Sequence, residues 1–460
     1  MHLRLGLLAA ASVAALSAPP AAAQCVAGAG TLTCTGTQTG RVTVDDAGTQ
    51  ITVAPGAVVC GDQQDAFRLR ADDITLTNEG TIQAEGPDGN REGIKTSGDR
   101  LTVINEAAGL IKAADKGIQD DGGVGTDFTL INRGRIETGD DAVRVDTAGA
   151  TMINELGGVV QGGERALRSR GFGFTVDNAG DLIAGDEAVE GRDGFDMINR
   201  ATGRILAARN DGVQFGIGAL VNYGLIEGGD DAVDFDGGLV RNFGVMRAVP
   251  DLFDAAGIDI DEIAEDGSVP PTARIENHGV IDGFIGILAD PLAQQRVEIV
   301  NTGVIEGRGG MAIELSPIGA DALLELSGAS DLIGAVMLGG GDDLLKLGDF
   351  SIGGALASGE IDGGAGVNRV AFAAGYGFGD LFDVALSGGL LSLGFTSLSG
   401  EERTAALRNF QFVEVGGRTY AVRGDGLTAV PVPAGLALLP LALAALWAGG
   451  RRRRGAASMA

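Results

Sequence analysis

Adjacent carboxylates are the side chains of this sequence whose type and spacing could do chemistry. Four acidic pairs lie in glycine-rich segments, at Asp120-Asp121, Asp140-Asp141, Asp186-Glu187 and Asp230-Asp231. If they occupy related places in successive units, their carboxylates form a discontinuous row along one edge. Carboxylate oxygens bind calcium, and paired carboxylates supply the acid and the base of sugar hydrolysis. The pairs therefore predict calcium or sugar binding. Acidic turn residues that solvate the surface and cap backbone groups are the structural alternative.

Most other catalytic chemistry is excluded by what the sequence lacks. It contains no Gly-x-Ser-x-Gly nucleophile turn, no His-Glu-x-x-His zinc motif and no Gly-x-x-x-x-Gly-Lys phosphate loop. Its two histidines are His2 and His278, so most histidine-based triads and metal sites are excluded. A hydrolase also needs two carboxylates in unlike environments, whereas these pairs recur as structural features do. No catalytic residue is therefore assigned.

A repeated two-part motif must position the acidic turns. The first part is an Asn followed closely by Gly and then by an aliphatic residue. It recurs every 20 to 35 residues, at Asn78, Asn105, Asn132, Asn154, Asn178, Asn199, Asn222, Asn242, Asn277 and Asn301. The second part is a small residue before an aliphatic one. It follows nine of these Asn residues, at Gly93-Ile94, Gly117-Ile118, Ala142-Val143, Ala166-Leu167, Ala188-Val189, Gly212-Val213, Ala232-Val233, Gly286-Ile287 and Ala312-Ile313.

Two short β-capable runs per repeat predict a solenoid of strands, because helical repeats are longer and need more helix formers per unit. In a parallel β-helix, equivalent positions of successive coils stack about 4.8 Å apart, so inward aliphatic residues form one column. An Asn in every coil can hydrogen-bond to its copies above and below, or cap backbone groups in a turn. The small residue before the second aliphatic one indicates a crowded interior position.

The period and layout over about residues 50–370 resemble those of pectate-lyase-like and autotransporter-passenger proteins. The resemblance implies an all-β fold, a right-handed parallel β-helix of about 10–13 coils with terminal caps. Polygalacturonase-like β-helix enzymes use Gly-Asp-Asp among their catalytic acids, and pectate lyases hold calcium with aspartates. The alternative is a β-sandwich or a propeller with coincidental Asn-Gly turns.

Domain limits follow from the repeat and from the two ends. We expect a signal peptide (1–23), an N-terminal cap (24–53), the β-helix (54–371), a C-terminal β cap (372–422), a linker (423–429), a sorting segment (430–454) and a tail (455–460). Within the β-helix, residues 248–272 form an acidic insertion on one face. Insertions in repeat proteins often carry binding, although an acidic excursion without a partner is the alternative.

Composition agrees with a thin, exported coil. The formal net charge is −28, with 78 glycines and 5% aromatic residues, which suits turn-rich coils better than a bulky core. An acidic surface repels nucleic acid and favours cations. Residues 1–23 combine Arg4, an apolar run and a small-residue site, which predicts a secretory signal.

Three cysteines remain after the signal peptide, and export exposes them to an oxidising compartment. Our preferred pair is Cys25 with Cys34, which would pin the N-terminal cap and leave Cys60 unpaired. Sequence alone leaves the other pairings open.

The C-terminal segment predicts a short membrane span held by basic residues. Its motif is Val430, Pro431, Val432, Pro433 and Ala434, followed by an apolar run and by Arg451, Arg452, Arg453 and Arg454. It resembles the VPLPA type of the PEP-CTERM sorting signal, with Val432 where that motif has Leu. The resemblance implies recognition by an exosortase-like membrane enzyme, an inner-membrane intermediate and cleavage near residues 430–434. A simple C-terminal anchor is the alternative.

Two glycine-rich stretches, at residues 338–346 and 363–371, resemble the nonapeptide of the RTX calcium repeat. The resemblance implies calcium held by Asp342, Asp343, Asp362 and Asn368. Leu338 replaces the opening Gly of the first stretch, Asn368 replaces the Asp of the second, and the two lie a whole coil apart. A final pair of β-helix coils without calcium is the alternative.

Together these features predict a non-enzymatic, exported cell-surface or extracellular-matrix protein of the structural or adhesion type. We expect its partners to be an exosortase-like enzyme, an exopolysaccharide and, before processing, the membrane, and not nucleic acid. One alternative is a polysaccharide lyase or glycoside hydrolase that acts in a groove of the β-helix. Another is an adhesin retained in the inner membrane.

Overall fold

Parallel strands stacked turn upon turn make up the chain, which a computed structural model shows as an all-β parallel solenoid of about 13 turns. The structure describes residues 24–86, 91–121, 127–249, 253–261, 271–350, 356–424 and 426–431. Among them the one helix is a short 3-10 turn, Phe378–Asp380. No helix in these ranges is long and apolar enough to cross a membrane. The all-β, parallel architecture predicted from the repeat is thus confirmed.

Both predicted transport signals fall largely outside the described residues. The signal peptide, residues 1–23, is outside them, as are residues 432–460 with Val432, Pro433, Ala434 and the four arginines. Only Val430 and Pro431 of the sorting motif are described, and both are exposed.

The chain divides into two compact units. The first unit comprises residues 1–175 and 180–183, and the second comprises residues 176–179 and 184–460. Strands β20 (Thr175–Asn178) and β21 (Asp181–Ala184) contain residues of both units. Each unit is described by itself below.

Among the described residues, nineteen strands lie wholly in the first unit. They are β1 Gln24–Gly28, β2 Thr31–Thr35, β3 Thr37–Thr39, β4 Val42–Val44, β5 Gln50–Val53, β6 Val58–Cys60, β7 Phe67–Leu69, β8 Thr75–Asn78, β9 Thr81–Ala84, β10 Ile94–Thr96, β11 Thr102–Asn105, β12 Leu110–Ala113, β13 Ile118–Asp120, β14 Thr129–Asn132, β15 Arg135–Thr138, β16 Val143–Val145, β17 Thr151–Asn154, β18 Val159–Gly162 and β19 Leu167–Ser169.

Apart from β1, each turn of the first unit contributes three short strands, and each strand pairs in parallel with its equivalents in the neighbouring turns. For example, β11 pairs with β8 and β14, β12 with β9 and β15, and β13 with β10 and β16. The inward positions are fully or almost fully buried aliphatic residues, among them Leu76, Val103, Leu130, Met152, Ile82, Ile111, Ile136, Val160, Ile94, Ile118, Val143 and Leu167. One turn alone could bury little of this surface, so stacking stabilises the unit.

The repeated Asn forms the predicted ladder. The side-chain amide of Asn78 donates to Asn105, Asn105 to Asn132, and Asn132 to Asn154, each at 2.8 Å, and all four residues are fully buried. Each buried amide therefore has a partner of its own kind. The glycine that follows each Asn of the motif is needed because the backbone of the preceding turn lies close to it. A Cβ on Gly134 would lie 2.3 Å from backbone oxygens of the preceding turn.

The N-terminal cap is shorter than predicted. We expected residues 24–53 to precede the coils, but β2, β3 and β4 already pair in parallel with β5, β6 and β7. Their Thr- and Val-rich sequences suit strands, so a first turn forms without the Asn motif. Only β1 departs from the pattern. It pairs antiparallel with β2, and a disulfide joins Cys25 to Cys34, the pair preferred from the sequence.

The remaining strands lie in the second unit. They are β22 Val189–Glu190, β23 Phe195–Asn199, β24 Arg204–Ala207, β25 Val213–Asn222, β26 Leu225–Gly228, β27 Val233–Asn242, β28 Val245–Ala248, β29 Ala256–Ile260, β30 Ala273–Asn277, β31 Val280–Ala289, β32 Val297–Asn301, β33 Val304–Glu314, β34 Ala322–Gly328, β35 Asp331–Met337, β36 Leu344–Phe350, β37 Ile361–Asp362, β38 Asn368–Phe372, β39 Leu381–Ser387, β40 Leu390–Thr396, β41 Glu402–Arg408, β42 Phe410–Val415, β43 Arg418–Arg423 and β44 Gly426–Ala429.

The second unit repeats the same interior. A ladder of hydrogen bonds of 2.8–2.9 Å joins its six Asn residues, from Asn178 to Asn301, and the amide of Asn301 then donates to Ser330. Beside the ladder, Phe195, Phe215 and Phe235 stack in the core, with ring centroids 4.8 and 5.5 Å apart. The stack runs through the turns that carry the densest group of buried acids.

The predicted insertion is in part a normal strand. The turn that begins at Asn242 lacked a recognised second motif, but Gly257-Ile258 fills that position in β29, which pairs with β27 and β31. The long gap before these residues hid the motif. Of the insertion, residues 250–252 and 262–270 lie outside the described residues.

At the C-terminal end, antiparallel strands β39 to β43 form the cap predicted over residues 372–422, while β41 and β42 still pair in parallel with β37 and β38. The predicted linker, residues 423–429, is wrong. Strand β44 occupies most of it and pairs antiparallel with β43, because its backbone completes the edge of the cap.

Candidate functional site

Two columns of side chains flank the third strand of each turn, and together they set its charge. We call the residue just before the small residue the turn column, because its carbonyl accepts from the backbone of the adjacent turn. We call the residue just after the aliphatic one the strand column. In the first unit the turn column is Asp65, Glu92, Lys116, Asp141 and Arg165, and the strand column is Arg68, Lys95, Gln119, Arg144 and Arg168.

In the second unit both columns are mainly acidic between Glu187 and Asp259. The turn column is Glu187, Asp211 and Asp231, followed by Ala256, and the strand column is Glu190, Gln214, Asp234 and Asp259. Two groups of three carboxylates have side-chain oxygens that lie within 4.8 Å of one another. The first acidic cluster is Asp140, Asp141 and Glu164, and the second acidic cluster is Asp211, Asp230 and Asp231.

The first acidic cluster is neutralised by the protein itself. The ammonium group of Lys116, a buried residue, lies 2.5 Å from an oxygen of Asp140 and 2.8 Å from an oxygen of Asp115. Arg165 lies 3.5 Å from Asp141 and 3.4 Å from Glu164. An ion pair with so little solvent contact is favourable only when each charge has close partners, as here.

The pKa values of the first cluster reflect these cations. Burial alone would raise the pKa of Asp140, but its hydrogen bonds with Asp115 and Lys116 outweigh burial and lower the pKa to about 2. Burial and Asp140 raise the pKa of Asp141, while Arg165 opposes the rise. One oxygen of Asp141 is buried without a hydrogen-bond partner, but Arg165 and Arg168 lie 3.5 and 3.9 Å from this carboxylate. The cluster is therefore a network of ion pairs, which favours a structural role.

The second acidic cluster meets backbone amides and other acids. A carboxylate oxygen of Asp231 accepts a hydrogen bond from the amide of Ala256 at 2.6 Å, and one of Asp211 accepts from the amide of Asp231 at 3.2 Å. Asp211 is buried and Asp230 is half-buried. Within the described residues, no ion pair involves Asp211, Asp230 or Asp231.

Two further acids of the strand column border this cluster. Asp234 and Asp259 lie in register on β27 and β29, so their side chains project from the same face. Asp234 is only 8% exposed. Gln214 donates to one of its oxygens at 2.9 Å, and the other is buried without a hydrogen-bond partner. One oxygen of Asp259 is likewise buried and without a partner.

Crowding of like charges changes the acidity of this whole group. Burial, then the charge of Asp259, raises the pKa of Asp231 to about 10. Burial raises the pKa of Asp211 to about 7, and Asp230 and Glu187 add to the rise. Burial and Asp261 raise the pKa of Asp259 to about 7 and that of Asp234 well above its ordinary value. In the absence of a bound cation, part of the group is therefore protonated at neutral pH.

A cleft of about 440 Å³ opens beside the second cluster. Its acidic wall contains Asp230, Asp231, Asp254, Asp259 and Asp290. Its apolar wall contains Phe253, Ile285, Leu288, Pro291 and Pro317, and Phe253 is 87% exposed. The cleft thus joins clustered carboxylates to solvent.

The acidic pairs predicted from the sequence do not form one row. Asp120 lies at the end of β13, in register with Thr96 and Val145, and therefore in neither column. It is buried and accepts a hydrogen bond from the Thr147 hydroxyl at 2.6 Å, while Asp121 pairs with Lys95 at 3.1 Å. Asp120-Asp121 resembles the other acidic pairs in residue type but differs in position. It follows the aliphatic residue Ile118, whereas the other pairs precede the small residue of the motif.

The other three predicted pairs directly precede the small residue of the second motif. Asp140-Asp141 belongs to the first cluster and Asp230-Asp231 to the second. Asp186-Glu187 lies in the second unit, where Asp186 is 3.5 Å from Arg209 and Glu187 accepts a hydrogen bond from Asn210 at 3.1 Å.

Sequence reasoning missed Asp211, Asp234 and Asp259. The available signal was position: Asp211 precedes Gly212-Val213 just as Asp231 precedes Ala232-Val233. Because Asn210 stands before Asp211, no acidic pair marked that turn. Asp234 and Asp259 stand alone in strands, and only the register brings them together.

The residues predicted to bind calcium in the RTX-like stretches form hydrogen bonds with backbone groups. Asp342 accepts from the amide of Val367, Asp343 from that of Ala322, and Asp362 from that of Gly364, each at 2.8 Å. Asn368 donates to carbonyl oxygens, including that of Gly363 at 2.8 Å. Among the described residues, these acids belong to neither group of three clustered carboxylates. Burial raises the pKa of Asp343 to about 7.

Comparisons with known proteins find no matching family model, no matching curated protein and no matching solved structure.

Proposed function

We propose that this chain is an exported structural protein of the cell surface or extracellular matrix, a right-handed parallel β-helix without enzymatic activity. The observation that carries the proposal is the uniform Asn ladder, from Asn78 to Asn154 and from Asn178 to Asn301. Successive turns that repeat one design present a repeated surface, whereas catalysis needs one turn to differ from the rest.

Charge and the two ends of the sequence support the setting of this proposal. A formal net charge of −28 favours a solvated surface that meets anionic polysaccharide only where cations bridge the two. The apolar segment of residues 1–23 supports export, and the motif at residues 430–434 with the Arg cluster supports sorting by an exosortase-like enzyme. Association with exopolysaccharide is part of the same proposal.

Fractionation of cells that produce the full chain tests this function. We expect the surface or extracellular fraction to contain a protein whose C-terminus, measured by mass spectrometry, lies near residues 430–434. Replacing Arg451 to Arg454 by Gln should leave the uncleaved chain in the inner membrane, because the sorting enzyme would no longer recognise the segment. Ser458→Ala, in the tail, is the control.

Persistence of residues beyond 434 in the inner-membrane fraction of the unchanged chain would contradict the proposal. It would support the inner-membrane adhesin in its place.

A polysaccharide lyase or glycoside hydrolase is the second candidate, and the cleft of the second unit favours it. Asp230 and Asp231 both line it, and Asp231 accepts a hydrogen bond from the amide of Ala256, so these two adjacent carboxylates have unlike surroundings. Phe253 is an exposed aromatic side chain on which a sugar ring could pack.

Release of reducing sugars or unsaturated products from a panel of acidic polysaccharides tests the second candidate. Activity that is present in the unchanged chain, disappears in Asp230→Asn and persists in Glu164→Gln would establish it and reject the structural role. Absence of products from the whole panel is the result we expect.

A further inference from the structure

We infer that the second acidic cluster, together with Asp259, holds a hard divalent cation of the calcium type. Four carboxylates from three successive turns would supply its protein ligands: Asp211, Asp230, Asp231 and Asp259. This site is separate from the RTX-like stretches, and it does not depend on export or sorting. It therefore goes beyond the proposed structural function.

The spacing of the oxygens suits such an ion. Calcium lies about 2.3–2.6 Å from its oxygen ligands, so two ligands on opposite sides of the ion are roughly 4.6–5.2 Å apart. Side-chain oxygens of Asp211, Asp230 and Asp231 all lie within 4.8 Å of one another. These separations are of the size found between ligands of one calcium ion. Asp211 and Asp231 each use one oxygen to accept a backbone amide, which orients the carboxylate and leaves its second oxygen for a cation.

Buried oxygens without partners provide the second observation. Asp234 is 8% exposed, yet one of its oxygens has no hydrogen-bond partner, and Asp211 and Asp259 are among the charges that act on it. One oxygen of Asp259 is also buried without a partner, while Asp259 lines the cleft with Asp230 and Asp231. A buried carboxylate oxygen without a partner is costly. A cation in the cluster would give Asp259 a partner and would offset the like charges that act on Asp234.

The first unit shows how this fold neutralises the same arrangement when it uses its own side chains. There Lys116 contacts Asp115 and Asp140 at 2.8 and 2.5 Å, and Arg168 of the strand column lies 3.9 Å from Asp141. In the second unit the corresponding positions from Glu187 to Asp259 are acids, Gln214 or Ala256, and none is basic. The inserted segment, residues 248–272, adds acids but contains no Lys or Arg. A bound metal ion would take the place that Lys116 has in the first unit.

The cleft completes the site. Calcium takes about six to eight oxygen ligands. Four carboxylates that each contribute one oxygen would supply only four of them. A cleft of about 440 Å³ on the side of Asp230 and Asp231 gives water, or an oxygen of a bound polysaccharide, access to the remaining positions. Half-buried Asp230 is the ligand nearest to solvent and is the most suitable one to replace without disturbing the core.

Calcium titration of the purified full-length chain, freed of metal with a chelator, tests this inference. Isothermal titration calorimetry should show saturable binding of calcium, and the melting temperature should rise on its addition. We expect Asp230→Asn and Asp231→Asn each to weaken calcium binding by tenfold or more while leaving the circular-dichroism spectrum all-β.

Two matched variants separate this site from other acids. Glu164→Gln, in the first acidic cluster, and Asp342→Asn, in the RTX-like stretch, should leave calcium affinity within about twofold of the unchanged chain. Absence of saturable calcium binding would overturn the inference. So would unchanged affinity in both Asp230→Asn and Asp231→Asn, or a loss of binding in Asp342→Asn alone.

Discussion

The two units build the same turn from the same motif, yet they treat its charges in opposite ways. In the first unit, acids of the turn column meet Lys116, Arg165 and a strand column that contains four basic residues. In the second unit, acids of the turn column meet more acids, and Gln214 is the only uncharged residue of the strand column up to Asp259. The Asn ladder and the aliphatic core do not differ in this way.

This difference in charge distinguishes the positions that form the fold from those that can form a binding site. Positions that face inward are constrained by packing, so both units use the same small, aliphatic and Asn residues. Positions in the two columns lie outside the aliphatic core and can vary in charge. Their charges decide whether basic side chains of the protein neutralise a carboxylate cluster or whether a bound cation can do so. Clustered acids alone therefore carry little functional information. Their countercharges carry more.

Removal of the internal cation should have the largest effect. Lys116→Met leaves Asp115 and Asp140 close together without the ammonium group that lies 2.8 and 2.5 Å from them. Because breaking a buried ion pair leaves an uncompensated charge, we expect the first unit to lose about 3 kcal/mol of stability. Urea-dependent hydrogen exchange of peptides in residues 110–145 measures the loss.

The control is Lys112→Met, which removes an exposed pair with Glu85 that lies at 2.6 Å. Exposed pairs contribute about 0–1 kcal/mol, so little should change. Equal losses in the two variants would show that the network around Lys116 is not special.

A change of pH should affect Asp140 of the first cluster and the acids of the second cluster with opposite sign when metal is absent. The pKa of Asp140 is lowered to about 2, so its contribution to stability is full above its unfolded pKa and is lost as the pH falls towards 2. The pKa values of Asp211 and Asp259 are raised to about 7. Their contribution is full below the unfolded pKa and is lost as the pH rises from about 4 through 7.

Between pH 5 and pH 8, in the presence of a chelator, we therefore expect peptides around the second cluster to lose protection against hydrogen exchange. Peptides around the first cluster should keep theirs, after correction for the intrinsic exchange rate. Parallel behaviour of the two sets of peptides would remove the electrostatic distinction between the units.

Introduction of a cation into the second unit should have the smallest effect. Gln214 already donates to Asp234 at 2.9 Å, so Gln214→Arg would supply the kind of charge that the strand column of the first unit carries. We expect the metal-free second unit to gain about 1–2 kcal/mol, since hydrogen bonds to charged groups are the stronger ones. Calcium should then raise the melting temperature less than it does in the unchanged chain.

The matched control is Gln119→Arg, at the same column position of the first unit, where Asp121 already pairs with Lys95 at 3.1 Å. The added charge should change stability by less than about 0.5 kcal/mol. A gain of equal size at both positions would mean that any added arginine stabilises this surface.

Much of the fold could be predicted because the repeat is dictated by packing. Asn105 and Asn132 align because each needs a buried partner for its amide, and Gly134 is required by the close approach of the preceding turn. The same reasoning failed where spacing changed. It missed Gly257-Ile258 behind a long gap and treated residues 423–429 as a linker, although their backbone completes a sheet edge.

The candidate site was predicted only in part. Asp230 and Asp231 were recognised as a pair, but Asp211 was not, because its neighbour is Asn210. Asp120-Asp121 was placed in the row although it follows the aliphatic residue and lies elsewhere in the turn. A search for adjacent acids detects composition, whereas a site depends on which residues share a column.

The sequence by itself determined the rung of this solenoid, because the need to bury aliphatic side chains and to pair each buried amide repeats at every turn. Only the tertiary structure decided which charges meet. Neighbouring turns differ in length, with 20 to 35 residues between successive Asn residues, so no fixed offset identifies the contacts between them. Asp234 and Asp259 are 25 residues apart yet lie in register, and only the stacked strands bring their carboxylates beside Asp211 and Asp231.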